Sequence, residues 1–280
     1  MKSSRYAIVS VPLFAASISS SALGAAVTTG ATSPDASGLT SAVDDFRAVA
    51  GSPANAAGAG PFDSGRRQIS WDGGAATDPF VSPALMPNNF FNSNVKQGNV
   101  YLTPGSGFLL SQRAAAANFT APRFGDINPS YASEFITFSA ERLFAAKDSV
   151  ITDVFFFVPS SPATPATVAS FGAVFADVDS DAATFMEFFD LDGSLLHTAF
   201  ASPRDKGLSL LGASFDAGER IARVRIHAGT TPMGATNFDG GASDIVVMDD
   251  FIYSEPLAVP GPGAAGVLVL AGLAGVRRRR

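Results

Sequence analysis

Three aspartates alternate along the short segment Asp-Val-Asp-Ser-Asp, at Asp177, Asp179 and Asp181. Carboxylate oxygens at this spacing can surround Ca²⁺, a hard cation that prefers oxygen ligands. The segment does not form an EF-hand, because Ala182 and Phe188 stand where that loop requires a glycine and a glutamate. The spacing therefore predicts a calcium site at the three aspartates, with a solvated acidic turn as the alternative.

A second pair of acidic residues, Asp249 and Asp250, interrupts an otherwise apolar segment near the C-terminus. One of the two side chains must face the interior or a sheet edge, and burying a carboxylate without a partner is costly. We therefore expect a partner, with three candidates: Ca²⁺, Arg47 and the backbone N–H groups of a loop. The tripeptide Asp-Asp-Phe ends both at Phe46 and at Phe251, so we expect these two segments to be neighbours.

Residue types that support catalysis are scarce. The two histidines, His197 and His227, each lie in a predicted strand without a second ligand nearby, which favours neither a zinc site nor a Ser-His-Asp triad. Because the chain has no cysteine, a thiol nucleophile is excluded. Paired carboxylates for glycoside hydrolysis stay an open alternative, although no acidic residue lies in a recognisable motif. Trp71 and Tyr101 could stack on a sugar ring, but a core position is more typical. We predict no catalytic residue.

The elements expected to position these residues are mainly β-strands. Short apolar segments recur about every ten residues, with Gly, Asp and Pro turns between them and hardly any helical periodicity. The Asp-Gly pair at Gly193 predicts a hairpin, and the segment Ile221–Ala228 alternates cleanly between two faces. We predict an all-β fold, an antiparallel β-sandwich with the jelly roll as the favoured topology. The segments 123–128 and 134–138 are expected to be extended. Some segments are predicted otherwise: a strand or short helix at 42–49, a loop at 160–167 and a helical turn at 139–146.

The charge balance limits the partners of this body. Six of the 19 Lys and Arg residues lie in the two ends of the chain and none of the 25 acidic residues does, so the body carries a net charge of −12. Such a body cannot bind nucleic acid through a phosphate footprint, but it can bind divalent cations. Without cysteine it has no disulfides, so its stability must come from its core.

The two ends predict export. Residues 1–26 combine Lys2 and Arg5, a moderately apolar stretch and a small-residue ending, as in a secretory signal peptide. Residues 27–41 are rich in Ala, Thr, Ser and Gly and predict a disordered spacer. The β-sandwich domain is then expected at 42–255, followed by a sorting tail at 256–280.

The tail has three parts: a Pro-rich break, a short apolar segment and a cationic end. The segment 264–276 would form a helix of about 20 Å, shorter than a hydrocarbon core of about 30 Å. Its arginines are expected to stay on the cytoplasmic side. The tail is therefore predicted to insert transiently in the membrane and then be cut off, with a permanent anchor as the alternative. Its signal residues are Val259, Pro260, Pro262, Arg277, Arg278, Arg279 and Arg280.

This tail resembles the PEP-CTERM sorting signal of bacteria that make extracellular polysaccharide, with Gly261 where that family usually has Glu. The resemblance implies processing by an exosortase-type enzyme and a location in the cell envelope, on the surface or in the extracellular matrix. The body is similar to uncharacterised exported jelly-roll domains found before such tails, on the segments 175–179 and 249–251.

The two targeting ends, the acidic body and the lack of a catalytic constellation favour a structural or binding protein of the cell surface or exopolysaccharide matrix, without catalysis. One alternative is a calcium-dependent carbohydrate-binding module, and a second is a polysaccharide hydrolase. Carbohydrate-binding jelly rolls often hold a structural calcium between their terminal strands, so the resemblance implies Asp45 and Asp250 as further candidate ligands. A salt bridge or a capped turn is the alternative there.

Overall fold

The computed structural model describes residues 26–73, 85–116 and 119–259. The predicted signal peptide, apart from residue 26, and the tail from Pro260 onward lie outside these residues. Within them, no helix is long and apolar enough to span a membrane.

The described residues form fifteen strands and three helices. The strands are β1 (Val27–Ser33), β2 (Arg66–Ile69), β3 (Leu85–Met86), β4 (Asn99–Leu102), β5 (Gly107–Leu110), β6 (Phe144–Lys147), β7 (Ile151–Val158), β8 (Ser161–Thr167), β9 (Ser170–Val178), β10 (Phe185–Phe189), β11 (Leu195–Phe200), β12 (Arg204–Ser214), β13 (Arg223–His227), β14 (Val247–Ser254) and β15 (Leu257–Ala258). The helices are α1 (Ala36–Ala50), α2 (Phe90–Ser93) and α3 (Tyr131–Glu134).

The strands build two antiparallel sheets. Sheet A has the order β1-β12-β9-β14-β6-β5-β3, and β2 also pairs with β14. Sheet B has the order β11-β10-β13-β7-β8-β15, and β4 also pairs with β7. Apolar side chains from both sheets meet in one core between them, so the predicted all-β antiparallel sandwich is confirmed. The jelly-roll topology stays a finer prediction.

The core between the sheets is aromatic. The ring of Trp71 stacks on Phe144 with centroids 4.1 Å apart, and its indole N–H donates to the carbonyl of Asp249 at 2.8 Å. Tyr101 packs against the same tryptophan and is fully buried. Neither ring is available to a sugar, so the expected core position of both residues is correct.

A second core lies on the outer face of sheet A, beneath α1 and the segment 119–138. Helix α1 begins where the Asp35 carboxylate accepts a hydrogen bond from the Gly38 N–H at 2.9 Å. It ends at Gly51, whose φ of 124° favours glycine. The side chains that face the sheet follow a helical period and are all buried: Leu39, Val43, Phe46 and Ala50.

Two predictions about the N-terminal part of the body were wrong. Residues 27–41, expected to be a disordered spacer, instead form strand β1, paired along its length with β12, and the start of α1. The folded domain therefore begins before residue 42 and extends past residue 255 to β15. At 42–49 the helix is correct and the strand is wrong, although the two Asp-Asp-Phe segments do become neighbours because α1 packs against β14.

Three other local predictions were wrong. The segment 161–167 is strand β8 rather than a loop, because Pro165 pairs with Phe157 in a short, irregular ladder where prolines are tolerated. Residues 144–147 form strand β6 rather than a helical turn, because they pair with β5. The segment 123–128, expected to be extended, forms turns. In the segment 134–138, only residue 134 belongs to α3, and Phe135 has the expected extended backbone.

Elsewhere the strand pattern was predicted correctly. The Asp190 carboxylate accepts hydrogen bonds from the N–H groups of Asp192 and Ser194, and it thereby closes the turn between β10 and β11. Strand β13 alternates as expected, with Val224 and Ile226 in the core and its arginines on the other face.

Candidate functional site

Six carboxylates converge at one end of sheet A, and we call this group the acidic cluster. Two overlapping sets of side chains within it have oxygen atoms within 4.8 Å of one another, one with Glu134 and Asp239 and the other with Asp179 and Asp205. Asp177 belongs to both sets and lies at the centre. Asp244 lies beside these sets, close enough that its charge helps to raise the pKa of Asp179. The members are Glu134, Asp177, Asp179, Asp205, Asp239 and Asp244.

Strand β9 turns Asp177 into this cluster at the point where it pairs with a bulge of β12. Along β9, Phe171, Ala173 and Phe175 face the core between the sheets, and alternation would place Asp177 there too. The pairing with β12 shifts register at this point, and Asp177 has a φ of 68°. Val178 therefore takes the inward position, and the carboxylate turns away from the core.

The other carboxylates are positioned by the segments that cover the outer face of sheet A. Tyr131 of α3 donates from its hydroxyl to the Asn237 carbonyl at 2.8 Å, and this hydroxyl also accepts from the Gly234 N–H at 3.1 Å. This contact holds the loop that carries Asp239 against the helix that carries Glu134. Asp239 in turn accepts from the Ile245 N–H at 2.8 Å, which fixes its carboxylate.

Three buried oxygen atoms of the cluster have no hydrogen-bond partner among the described residues, one each on Asp177, Asp179 and Asp244. Asp177 is fully buried; its Oδ1 accepts from the Lys206 N–H at 2.8 Å, but its Oδ2 has no hydrogen bond. Asp244 is 1% exposed; its Oδ2 accepts from the Ser180 N–H at 3.0 Å, and its Oδ1 has no partner. Because a buried unpartnered carboxylate oxygen is costly, these atoms point to a missing cation.

Burial and mutual repulsion make the cluster hard to ionise without a cation. Burial raises the pKa of Asp177 to about 8, and the charges of Asp239 and Asp179 contribute to this rise. Burial also raises the pKa of Asp179 to about 7, with Asp239 as the main neighbouring charge. Lys206 brings one positive charge, at 3.1 Å from Glu134, but its amine is largely exposed. A divalent cation would neutralise this excess of negative charge.

The kind of ligand atom in the acidic cluster determines which metal ions it could bind. All six side chains are carboxylates, which suit Ca²⁺, Mg²⁺ or Mn²⁺ rather than a metal that prefers imidazole or thiolate. They come from loops, a bulge and a helix end, an arrangement that suits the flexible coordination of Ca²⁺ better than the strict octahedron of Mg²⁺. Of these ions, the donor set would suit Ca²⁺ best.

The sequence prediction found only part of this set. Asp177 and Asp179 lie in the cluster as predicted, but Asp181 is exposed on the following turn and belongs to neither set. Four members of the cluster were missed, because they lie 26 to 67 residues from Asp177 and Asp179 along the chain and no local spacing links them: Glu134, Asp205, Asp239 and Asp244. Only the tertiary structure brings them together.

The second predicted acidic pair, Asp249 and Asp250, has protein partners. Asp249 accepts from the Phe138 N–H at 2.7 Å and from the Ser139 hydroxyl at 3.0 Å. Asp250 accepts from the same hydroxyl at 2.7 Å, and its Oδ2 lies 3.6 Å from Arg47. Burial, together with the neighbouring charge of Asp250, holds the pKa of Asp249 well above its usual range. Two of the three expected partners, Arg47 and a loop N–H, are therefore present.

The pair Asp45 and Asp250 is not brought together with other ligands. Asp45 lies on the exposed face of α1, whereas Asp250 is fully buried beneath that helix. Among the described residues, neither side chain joins a set of three groups able to share one ion. The geometry favours the salt bridge with Arg47 as the explanation for Asp250.

The two histidines occupy strand positions without the geometry of a catalytic site. The ring of His197 contacts the Thr28 hydroxyl at 2.8 Å across the edges of the two sheets. The ring of His227 stacks on Phe185 with centroids 4.0 Å apart and lies 3.4 Å from Glu187. Burial lowers the pKa of His227.

Of the predicted tail at 256–280, residues 256–259 are described, and Val259 alone of the predicted signal residues is among them. Its N–H donates to the Pro165 carbonyl at 3.2 Å, just after β15 has paired with β8. The described part of the chain therefore ends at the edge of sheet B.

Comparison with known proteins adds no family to this description. A scan of the chain against protein-family models found no match, and a search of curated proteins found no relative.

Proposed function

We propose that this chain is an exported β-sandwich protein of the cell surface or extracellular polysaccharide matrix, with a structural or binding role, and that its acidic cluster binds Ca²⁺. The proposed export is supported by the signal-peptide pattern at the N-terminus and by the sorting-tail pattern at the C-terminus. An exosortase-type enzyme is the proposed processing partner.

The observation that carries the calcium proposal is the carboxylate of Asp177. It is fully buried, one of its oxygens has no partner, and it lies within reach of carboxylates from four other elements or loops. Ca²⁺ would supply the missing partner and join these segments in one coordination shell. Outside the cell, calcium sites of modest affinity are sufficient, because modules there work with dissociation constants of roughly 10⁻⁴–10⁻³ M.

The calcium site is tested by thermal unfolding and titration calorimetry of the full chain with and without CaCl₂. The wild type should show a rise in Tm with calcium, and Asp177→Asn should lose most of that rise. Asp181→Asn is the matched control, because Asp181 is exposed beside the cluster but outside both sets. Equal calcium responses of Asp177→Asn and the wild type would refute the site.

The export proposal has its own test. Mass spectrometry of the protein from the producing cells should find a mature N-terminus near residue 26 and a C-terminus that lacks the four final arginines. An intact chain recovered from the cytosol would argue against export. An intact C-terminus in the membrane fraction would instead support the permanent anchor.

A further inference from the structure

The outer face of sheet B carries a row of rings that is open to solvent. Phe200, Phe185 and His227 are register partners on β11, β10 and β13, so their side chains stand on the same face. The Phe185 ring lies 5.4 Å from that of Phe200 and 4.0 Å from that of His227. Phe200 is 52% exposed, which leaves a ring surface available to a ligand.

A second apolar row lies four residues further along the same strands. Here the register partners are Leu195, Phe189 and Arg223. The Arg223 guanidinium lies over the Phe189 ring at 3.9 Å from its centroid, which fixes the plane of both groups. Leu195 is 54% exposed beside them. Successive residues on one face of a strand are about 7 Å apart, so the two apolar rows are separated by roughly 13 Å.

Between these rows runs a polar row that is already organised. Glu187, Arg225 and Asp153 are register partners across β10, β13 and β7. Arg225 binds Asp153 through two hydrogen bonds, at 2.9 and 2.8 Å, and Arg223 reaches the same carboxylate at 3.4 Å. Glu187 contacts His227 at 3.4 Å. These contacts hold the planar polar groups in place before any ligand arrives.

The charges of this face cancel. Two arginines face two carboxylates, and burial disfavours the protonated form of His227, so the face has no net charge to attract an anionic polymer. A second protein surface would bury these ion pairs away from water, which is costly. A ligand rich in hydroxyl groups would instead keep them hydrogen-bonded while its C–H surfaces cover the rings.

We propose that the outer face of sheet B binds a neutral polysaccharide chain. Its sugar rings would lie on the Phe200–Phe185 row and on the Phe189–Leu195 row, and its hydroxyl groups would bond to Glu187 and Arg225, which Asp153 holds in place from below. This inference rests on the proposed binding role, but it does not depend on the calcium site, which involves other residues.

The test is native gel electrophoresis of the full chain through gels that contain one polysaccharide each. The neutral probes are dextran, galactomannan and a mixed-linkage β-glucan, and alginate is the anionic probe. The wild type should be retarded by at least one neutral polymer, and Phe200→Ala should weaken that binding about tenfold. Phe238→Ala is the matched control, since this phenylalanine is 62% exposed on a loop outside the face.

The outcomes separate this inference from the proposed function. Retardation by alginate alone, or equal retardation of Phe200→Ala and the wild type, would overturn the proposed glycan site. So would a lack of retardation in every gel. Self-association that Phe200→Ala abolishes, without retardation by a neutral polymer, would assign the face to a second copy of the chain. A calcium-induced rise in Tm that persists in Phe200→Ala would show that the calcium site is intact whichever result is found.

Discussion

Arg47 on helix α1 and Asp250 on strand β14 approach each other to 3.6 Å, between Nη2 and Oδ2. The Asp250 side chain is fully buried, whereas the Arg47 side chain is 23% exposed, so the arginine reaches the carboxylate from the rim of the outer core. Gln68 on β2 joins both residues, because it accepts from Arg47 at 2.9 Å and donates to Asp250. This arrangement fastens the helix to the sheet.

The first prediction concerns this contact. Arg47→Met keeps the aliphatic packing of the side chain but removes the charge that faces Asp250. Because the buried carboxylate then keeps only neutral donors, we expect the free energy of unfolding to fall by about 1–3 kcal/mol. Urea unfolding followed by circular dichroism measures the change.

Asp44→Asn is the control for Arg47→Met. Asp44 pairs with Arg47 at 2.8 Å, but its side chain is 61% exposed, so we expect a change below about 0.5 kcal/mol. If Arg47→Met is as mild as this control, the ion pair with Asp250 does not stabilise the fold.

The second prediction concerns two glycines beneath α1. Gly172 and Gly212 are register partners on β9 and β12, and the Phe46 ring lies directly against both. A Cβ atom on Gly212 would be 2.6 Å from the ring, closer than real contacts allow. We expect Gly212→Ala to lower the free energy of unfolding by about 1–3 kcal/mol through overpacking.

A double mutant tests whether Phe46 causes that cost. Phe46→Leu leaves a cavity by itself, but the smaller side chain makes room for the extra methyl group. The combined loss in Phe46→Leu/Gly212→Ala should therefore be smaller than the two separate losses added together. Gly30→Ala on β1 is the matched strand control, because its Cβ would meet no atom closer than 3.8 Å. Additive losses would mean that the alanine clashes elsewhere.

Helix α1 shows why part of the fold escaped sequence analysis. Its first part, residues 36–41, is rich in small and polar residues, so its low hydrophobicity indicated a spacer, although Leu39, Val43 and Phe46 have helical spacing. By contrast, β13 was predictable because its alternation was complete over the whole strand. The local sequence pattern predicted a strand correctly where the alternation was complete within that strand. It did not predict the first part of α1, because packing against sheet A determines the structure there.

The acidic cluster, too, was predicted only in part from the sequence. Asp177 and Asp179 were predicted because their spacing is local, but the same spacing wrongly added Asp181. Strand β9 ends at Val178 and Asp181 lies in the turn that follows, so the alternation of a strand does not extend to it. Asp239 lies in a loop that Tyr131 holds in place through a hydrogen bond to the Asn237 carbonyl. The two bonded residues are 106 positions apart in the sequence, so no local pattern predicts this contact.

The third prediction concerns the buried ion pair between Arg67 and Glu255. Both side chains are almost fully buried, and the guanidinium binds the carboxylate at 2.6 and 2.8 Å. Asn55 also donates to Glu255, at 2.8 Å. Glu255→Gln would leave the arginine charge buried without its counter-ion, so we expect a loss of about 3–5 kcal/mol in the free energy of unfolding.

Asp148→Asn gives the matched surface comparison. Asp148 pairs with Lys147 at 3.3 Å, and both side chains are well exposed, so its loss of stability should be far smaller than that of Glu255→Gln. Equal effects of Glu255→Gln and Asp148→Asn in urea unfolding would mean that solvent reaches the Arg67 pair.

The fourth prediction concerns pH and calcium together. In the folded protein the pKa of Asp177 is about 8 and that of Asp179 about 7, both above the usual value of 3.8. In the absence of divalent cations, folding is therefore favoured most when both groups are protonated. The unfolded chain loses these protons from about pH 4 upward, so stability should decline from there to about pH 8.

The size of this decline is limited by the partial exposure of Asp179, and we expect a loss of roughly 2–4 kcal/mol between about pH 5 and pH 8. Calcium binds the ionised carboxylates, so it should restore more stability at pH 8 than at pH 5. Asp177→Asn should flatten the pH dependence without calcium and remove most of the calcium effect, whereas Asp181→Asn should change neither. Urea midpoints over this pH range, with a chelator or with CaCl₂, measure both trends. A stability that rises with pH in the presence of the chelator would contradict the raised pKa values, because it would mean that the cluster is already ionised and compensated without a cation.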